Sequence, residues 1–270
     1  FYFIKIKFRM LKIKYLTLLL LLAFCSNEVV IINENNNSEI TAPIFNPKLQ
    51  FEINVDVHST SFWKKDQNNQ LVKEDGKYVD EQNSYVRSAL LSNKDTLFII
   101  MDPWIDMDSE FLNKRHKDIV KNKINPLVDS LIEKNFEIIV FTNDCERRER
   151  AFNCNIGSLQ NYVDTGTVYK FYHDDWNSSS SFNEFLKINN VNNIVYLGFN
   201  SNQCIINRHV GMIPLRLENG NINFYIIPEA SAAIEFTDTW DTDSAHESTL
   251  QLISSWLGEL LYLQDLISKL

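Results

Sequence analysis

Residues 96–102 read Thr-Leu-Phe-Ile-Ile-Met-Asp, a continuous apolar run that ends in the carboxylate of Asp102. Such a run is typical of a strand that is buried on both faces of a parallel sheet. Strand patterns follow at 136–141, 168–172, 194–197 and 222–227, and helical apolar spacing occurs at 119–132, 182–188 and 246–257. This alternation predicts an α/β fold, a Rossmann-like three-layer α/β/α sandwich with a mostly parallel central sheet.

The overall composition limits the classes of function. The chain has 270 residues, 44% of them hydrophobic, which is enough for one sizeable core. Its net charge of −9 comes without a basic stripe, so no nucleic-acid partner is expected, because phosphate contacts need clustered Lys and Arg. With 7 Gly and no G-x-G-x-x-G or Walker pattern, a Gly-rich phosphate loop is not expected either.

The first 25 residues have the anatomy of a signal peptide. Lys12 and Lys14 precede a short apolar stretch at 16–24, which is too short to span a membrane. We interpret Met10 as the start of translation. The Leu-Ala-Phe-Cys segment that ends at Cys25 resembles a bacterial lipobox, which implies cleavage before Cys25 and lipidation of its thiol. The alternative is an ordinary signal peptide in which Cys25 is incidental.

The lipobox resemblance implies an exported protein that is lipid-anchored to a bacterial membrane and faces the periplasm or the cell exterior. Residues 26–48 are rich in Asn, Glu and Ser, a composition that predicts a flexible tether. Residues 49–94 are interpreted as an N-terminal extension that holds a strand or hairpin. Residues 95–270 then form the main domain.

The segment from Asn193 to Cys204 carries the strongest chemical signal. A strand enters Gly198, and the chain then turns and delivers Cys204 at the predicted start of a helix. A helix N-terminus stabilises a thiolate, and its free N–H groups can hold an oxyanion. The alternative is that Cys204 is a small buried hydrophobic residue. Because ligands bind at the carboxyl ends of parallel strands, Asp102 and Lys170 are its expected partners.

Three segments together resemble the isochorismatase-like cysteine hydrolases. They are 100–106 (Ile-Met-Asp-Pro-Trp-Ile-Asp), 170–176 (Lys-Phe-Tyr-His-Asp-Asp-Trp) and 198–204 (Gly-Phe-Asn-Ser-Asn-Gln-Cys), with Arg208 and Gly211 downstream. In that family an Asp ends the first strand and a Lys ends a middle strand. A Gly then precedes a Thr or Ser by three residues and the Cys by six. The resemblance extends over roughly residues 95–257 and implies the isochorismatase-like fold.

The resemblance implies a hydrolase that acts on carbon–nitrogen bonds other than peptide bonds. Cys204 would attack the carbonyl carbon of a small amide or carbamoyl compound and form a thioester. Asp102 would move the proton and then activate water, and Lys170 would lower the thiol pKa and orient Asp102. The oxyanion hole would use the N–H groups of Cys204 and of the Asn200–Ser201 turn. A cis peptide would join Phe199 to Asn200.

The remaining expectations concern the pocket and its partners. The candidate residues for lining the substrate pocket are Trp104, Asp106, His173, Trp176 and Arg208. Residues 142–147 lack the His ligands of the nicotinamidase branch, so we expect neither a metal site nor nicotinamidase activity. No cofactor is implied, the partner is a small-molecule substrate, and a homo-oligomer remains an open alternative.

Two other functions stay open at this point. A haloacid-dehalogenase-like phosphatase would use Asp102 and Lys170, although residue 104 is Trp where that chemistry needs a second Asp. A non-catalytic ligand-binding lipoprotein on the same fold is the second. Cys145 and Cys154 are candidates for a disulfide in an oxidising compartment, and the alternative is that both are ordinary thiols.

Overall fold

The structure, a computed structural model, describes residues 28–33, 38–45, 49–66, 70–146, 153–176 and 178–270. In chain order the strands are β1 (Glu28–Asn33), β2 (Ser38–Pro43), β3 (Glu52–Trp63), β4 (Lys73–Glu74), β5 (Lys77–Tyr78), β6 (Asp80–Ser92), β7 (Thr96–Met101), β8 (Glu137–Thr142), β9 (Tyr169–Tyr172), β10 (Asn193–Phe199), β11 (Asn223–Ala232) and β12 (Glu259–Leu261).

The helices in the described part of the chain are mostly short. They are α1 (Glu110–Ile119), α2 (Asn125–Glu133), α3 (Leu159–Asp164), α4 (Ser179–Ile188), α5 (Cys204–Asn207), α6 (Met212–Glu218), α7 (Ser244–Leu252) and α8 (Leu263–Ile267). π-Helical turns at Val120–Ile124 and Ile253–Leu257 continue α1 and α7, and a 3-10 turn spans His173–Asp175. The side chain of Ser109 caps α1 by accepting the N–H of Leu112. None of these helices is long and apolar enough to cross a membrane.

The central sheet has eight strands in the order β6-β3-β12-β11-β10-β7-β8-β9. The six strands from β12 to β9 are parallel, whereas β3 is antiparallel to β12 and β6 is antiparallel to β3. The prediction of a mostly parallel sheet is therefore confirmed.

Helices cover both faces of this sheet. Along β7, Phe98 and Ile100 pack with the helices α1, α2 and α8. Leu97 and Ile99 point to the other face and pack with α4, α5 and α6. Because successive side chains of a strand alternate between faces, a continuous apolar run fills two core layers at once. This arrangement confirms the α/β/α sandwich.

The N-terminal extension is part of the same sheet. The long hairpin β3–β6 was predicted only as a strand or hairpin ahead of the domain. The short strand β12 joins it to the parallel strands by pairing with β11 on one side and β3 on the other. Neither β12 nor α8 was predicted from the sequence, and the two elements have only three and five residues.

The flexible tether predicted for residues 26–48 is wrong for its described parts. β1 and β2 form an antiparallel hairpin, and Ile31 is buried against the main core. The N–H of Phe45 donates to Asn189 Oδ1 at 2.6 Å, and its ring stacks on Tyr169. Apolar residues spaced along a polar segment supply the contacts that the composition does not reveal. Residues 1–27, including Cys25, lie outside the described residues.

Candidate active site

Asp102 follows directly on the last residue of β7. Its N–H donates to Phe141 O at 3.0 Å, and its carbonyl accepts the N–H of Trp104 at 2.7 Å. The residue adopts a left-handed conformation with φ 45°, which is unfavourable for a side chain other than Gly. This tight turn points a fully buried carboxylate into the edge of the sheet.

Gly198 allows β10 to lie close to β7 beside Asp102. A Cβ atom at this position would lie 2.2 Å from Met101 O, and Gly198 has φ +100°. Only Gly fits such an approach without a clash. The two strand ends that carry the site are therefore held in direct contact.

The turn after β10 is fixed on several sides. The peptide bond between Phe199 and Asn200 is cis, as the family resemblance implied. The Ser201 N–H donates to Ala232 O at 2.8 Å, and its hydroxyl pairs with His246 Nδ1 at 2.9 Å. The Ser201 N–H therefore cannot serve the oxyanion hole, which corrects that part of the prediction.

Cys204 lies at the end of this turn beside Asp102. The Asp102 carboxylate and the backbone of Asn200 both act on the pKa of its thiol, in opposite directions. Burial and the charge of Asp102 raise the pKa of the thiol to about 12, whereas Arg208 acts in the opposite direction. The Cys204 thiol is therefore neutral and lies next to a carboxylate. The helix that was expected to stabilise a thiolate, α5, is a single turn of four residues.

Two further side chains hold the Asp102 carboxylate. His173 Nε2 donates to Oδ1 at 2.5 Å, and the His173 ring lies against Phe141. Arg208 Nη2 lies 3.5 Å from Oδ2, and 32% of its side chain is exposed. The carboxylate is thus flanked by two donors in addition to the thiol.

The structure does not bring Lys170 into this cluster. Its Nζ lies 3.5 Å from Gln160 Oε1 and 5.4 Å from the centre of the Tyr172 ring. Side chains alternate along β9, so Lys170 points toward α3, whereas Tyr169 packs with the opposite face. His173, the first residue after β9, contacts Asp102 instead. The structure therefore does not place Lys170 beside Asp102, as was predicted.

Three of the predicted pocket residues contact other parts of the fold and not the Asp102 carboxylate. Trp104 is buried, and its Nε1 donates to Thr142 Oγ1 at 2.9 Å. Trp176 is buried in an aromatic cluster next to Phe171. Asp106 Oδ2 accepts the Asn155 N–H at 3.3 Å and ties two loops together. Among the five predicted pocket residues, His173 and Arg208 contact the catalytic carboxylate.

Sequence reasoning missed two buried histidines near the turn. His246 Nδ1 accepts a hydrogen bond from the Ser201 hydroxyl, and His246 Nε2 donates to Pro228 O at 3.1 Å. His116 stacks on Phe199 with ring centres 3.6 Å apart. Both lie far from Cys204 in sequence, and the sole available signal was a His among apolar residues at helical spacing.

Cys145 and Cys154 form a disulfide with their Cα atoms 6.1 Å apart. This distance lies inside the range that a bridge requires. Beside it, Asn143 Nδ2 donates to Asn153 O at 3.2 Å. The bridge therefore closes the loop that follows β8. Within the described ranges, no group of three His, Cys, Asp or Glu side chains is placed to hold a metal ion.

Comparisons with known proteins find similarity in structure alone. No family model matches the sequence, and no curated protein matches it. Solved structures that are similar include a nicotinamidase from Staphylococcus aureus (12% identity over 62% of this chain and 96% of that chain, TM-score 0.45). An isochorismatase-like hydrolase from Alkaliphilus metalliredigens is another (10%, 64% and 98%, TM-score 0.47).

A cysteine hydrolase from Pseudomonas syringae pv. phaseolicola is a third (14%, 65% and 92%, TM-score 0.45). Each comparison extends over about two thirds of this chain. At these sequence identities and TM-scores, the similarity supports no argument about function. The function proposed below depends on the geometry of the site in this chain.

Proposed function

We propose that this protein is a cysteine hydrolase that cleaves a carbon–nitrogen bond of a small amide or carbamoyl compound. One observation carries the proposal: the Cys204 thiol lies beside the fully buried carboxylate of Asp102, which helps to raise the pKa of the thiol and keep it neutral. A nucleophile and a general base in direct contact are the minimum that acyl transfer requires.

The proposed reaction has two steps, the acylation of Cys204 and the hydrolysis of the resulting thioester. In the first, Asp102 takes the thiol proton while the sulfur bonds to the carbonyl carbon, and the proton then passes to the leaving amine as the carbon–nitrogen bond breaks. In the second, Asp102 takes a proton from water, and the resulting hydroxide attacks the thioester. The thiol recovers its proton as the acid leaves.

The neighbouring groups suit this chemistry. His173 and Arg208 fix the orientation of the carboxylate, and Arg208 adds a positive charge near the sulfur. The backbone N–H of Cys204 would stabilise the developing oxyanion. The buried site raises the strength of each of these interactions.

The two alternative functions fit the site less well. A phosphatase of the haloacid-dehalogenase type needs a second carboxylate two residues after Asp102. The residue there is Trp104, whose side chain is buried and bonded to Thr142. A non-catalytic binder needs no base against its thiol, whereas here Asp102 contacts Cys204 directly.

The test is a panel of small amides, carbamoyl compounds and ureas, assayed for release of ammonia or amine. The unmodified protein is expected to turn over at least one class, and Cys204→Ala is expected to be inactive with an unchanged fold. Intact-mass spectra of the unmodified protein should show the acyl adduct on Cys204. Undiminished turnover in Cys204→Ala would contradict the proposal.

We also propose that the protein is exported and anchored to a membrane through a lipid on Cys25. The support is the order of basic residues, apolar stretch and Leu-Ala-Phe-Cys segment in the sequence. Replacement of Cys25 by Ser is expected to release the protein from the membrane fraction and to remove an incorporated lipid label. A Cys25→Ser protein that stays with the membrane would show that the anchor lies elsewhere.

A further inference from the structure

His116 lies on α1 and contacts both turns that carry the site. Its Nδ1 donates to Trp104 O at 2.9 Å, within the turn that follows Asp102. Its ring lies parallel to the ring of Phe199 at 3.6 Å, with 3° between the planes. Phe199 begins the turn that delivers Cys204. His116 therefore links the turn that follows Asp102 to the turn that precedes Cys204.

The protonation of His116 follows from these contacts. A carbonyl oxygen can only accept, so Nδ1 carries the hydrogen and Nε2 is bare. Within the described part of the chain, Nε2 is buried without a hydrogen-bond partner, and the whole residue is fully buried. Burial lowers the pKa of His116 to about 4, so the ring is neutral.

Stability alone does not explain a histidine side chain at this buried position. An unpaired buried acceptor destabilises the folded state, and an apolar ring would fill the same volume without one. What an apolar ring lacks is the Nδ1 hydrogen that the Trp104 carbonyl accepts. The arrangement thus favours a role in holding the Asp102 turn.

We propose that His116 is a positioning residue, which joins the Asp102 turn to the Phe199–Asn200 turn and so keeps base and nucleophile in contact. This inference rests on the proposed function, and it adds a residue that touches neither substrate nor reacting atoms. The hydrogen bond from His116 Nδ1 to Trp104 O makes the link between the turns. The stacking on Phe199 holds the imidazole ring in the orientation that this bond needs.

The reactivity of the Cys204 thiol reports this contact directly. The charged and titratable groups that face the thiol are Asp102 and Arg208, with His173 behind Asp102. If the Asp102 turn loosens, the thiol loses both its burial and its carboxylate neighbour, and its pKa falls. The rate of alkylation at a fixed pH then rises about tenfold for each unit of pKa.

The experiment compares two amide variants of the full chain, H116N and H116Q. The Asn amide reaches the position of Nδ1 and keeps a donor for Trp104 O, whereas the Gln amide reaches the position of Nε2. Iodoacetamide labelling of Cys204 is followed by peptide mass between pH 7.5 and 9.5. We expect H116Q to react about tenfold faster than the unmodified protein and H116N to react at a similar rate to it. H116F, which keeps a stacked ring without the donor, is expected to behave like H116Q and replaces it should H116Q not fold.

Two labelling results would contradict the proposed role of His116. If H116Q or H116F reacts at the rate of the unmodified protein, or if H116N reacts as fast as H116Q, the proposed role is wrong. On an amide substrate, H116Q is further expected to lower kcat by about 10–100-fold with little change in KM. The labelling comparison needs no substrate. A failure to find turnover would therefore count against the hydrolase proposal alone.

Discussion

The carboxylate of Asp102 has three neighbours, each with a different task. In the proposed mechanism the Cys204 thiol supplies the proton to be moved, whereas His173 donates to Oδ1 and Arg208 lies near Oδ2. Burial and this carboxylate together raise the pKa of the thiol. The proposed base and nucleophile therefore depend on each other.

Asp102→Asn separates these two effects. The amide keeps the shape of the carboxylate but removes its charge and its basicity, so turnover is expected to fall by at least about 100-fold. The pKa of Cys204 is expected to fall at the same time, because the neighbouring negative charge is gone. Iodoacetamide labelling at pH 8.5 measures this second effect and should be faster in the variant. Slower or unchanged labelling would indicate that burial alone determines the thiol pKa.

The comparison of His173→Ala with Lys170→Ala tests the corrected assignment. Loss of His173 leaves Asp102 Oδ1 without its donor and is expected to reduce kcat about 10–100-fold. Lys170 lies on the opposite face of β9, so Lys170→Ala serves as the matched control with near-normal turnover. Both variants should unfold at similar urea concentrations. A large loss of kcat in Lys170→Ala with full activity in His173→Ala would reverse the assignment.

The sequence predicted some of these residues and not others for a physical reason. Asp102 and the Gly198–Cys204 segment follow continuous apolar strands, whose ends are easy to locate. The end of β9 at Tyr172 was also predicted, but the face to which each of its side chains points was not, and Lys170 points away from Asp102 whereas His173 contacts it. His116 and His246 reach the site through packing between distant segments, which a single sequence does not reveal.

The hairpin β3–β6 and the strand β12 extend the parallel sheet on one side. β12 has three residues and pairs with a parallel neighbour and an antiparallel one. The ion pair between Arg87 and Glu259 ties β6 to β12 across β3. Alternating residues predicted the strand character of 51–57, but the pairing partner near the C-terminus lies about 200 residues away in sequence and could not be predicted from local pattern.

The disulfide loop gives the element-scale prediction. A bridge that closes a loop of this size is expected to contribute about 2–3 kcal/mol to the free energy of unfolding in the chain-entropy model. Thiol counting on denatured, non-reduced protein should leave Cys145 and Cys154 unlabelled. The double replacement of both by Ser should lower Tm relative to the unmodified protein. Labelling of both cysteines in protein purified from an oxidising compartment would contradict the bridge.

Two neutral histidines, His116 and His246, lie buried near the site, and burial lowers the pKa of each. The folded protein therefore resists protonation at positions that the unfolded chain protonates readily. This difference makes stability depend on pH.

The pH dependence has a definite sign. The pKa of His116 is about 4 when folded and near 6.5 when unfolded, so its contribution to stability is complete above pH 6.5. It decreases as the pH falls toward 4, by about 3 kcal/mol in total. Burial raises the pKa of Glu137 to about 7, which acts in the opposite direction. The difference between unmodified protein and His116→Phe isolates the His116 part.

Urea unfolding at pH 7.5 and pH 4.5 measures that difference. The unmodified protein is expected to lose more stability than His116→Phe over this interval. Parallel losses in the two proteins would mean that the pKa of His116 is the same in the folded and unfolded states.

Gly198 also has a consequence for redirecting this site toward other substrates. A mutagenesis library that randomises residues 200–203 would sample new loop shapes next to the sulfur. Residue 198 has to stay outside such a library, because every substitution there adds a Cβ that would lie 2.2 Å from Met101 O. Since Met101 directly precedes Asp102, the clash would displace the base itself. Selection in such a library would thus explore substrate preference only while this glycine is held constant.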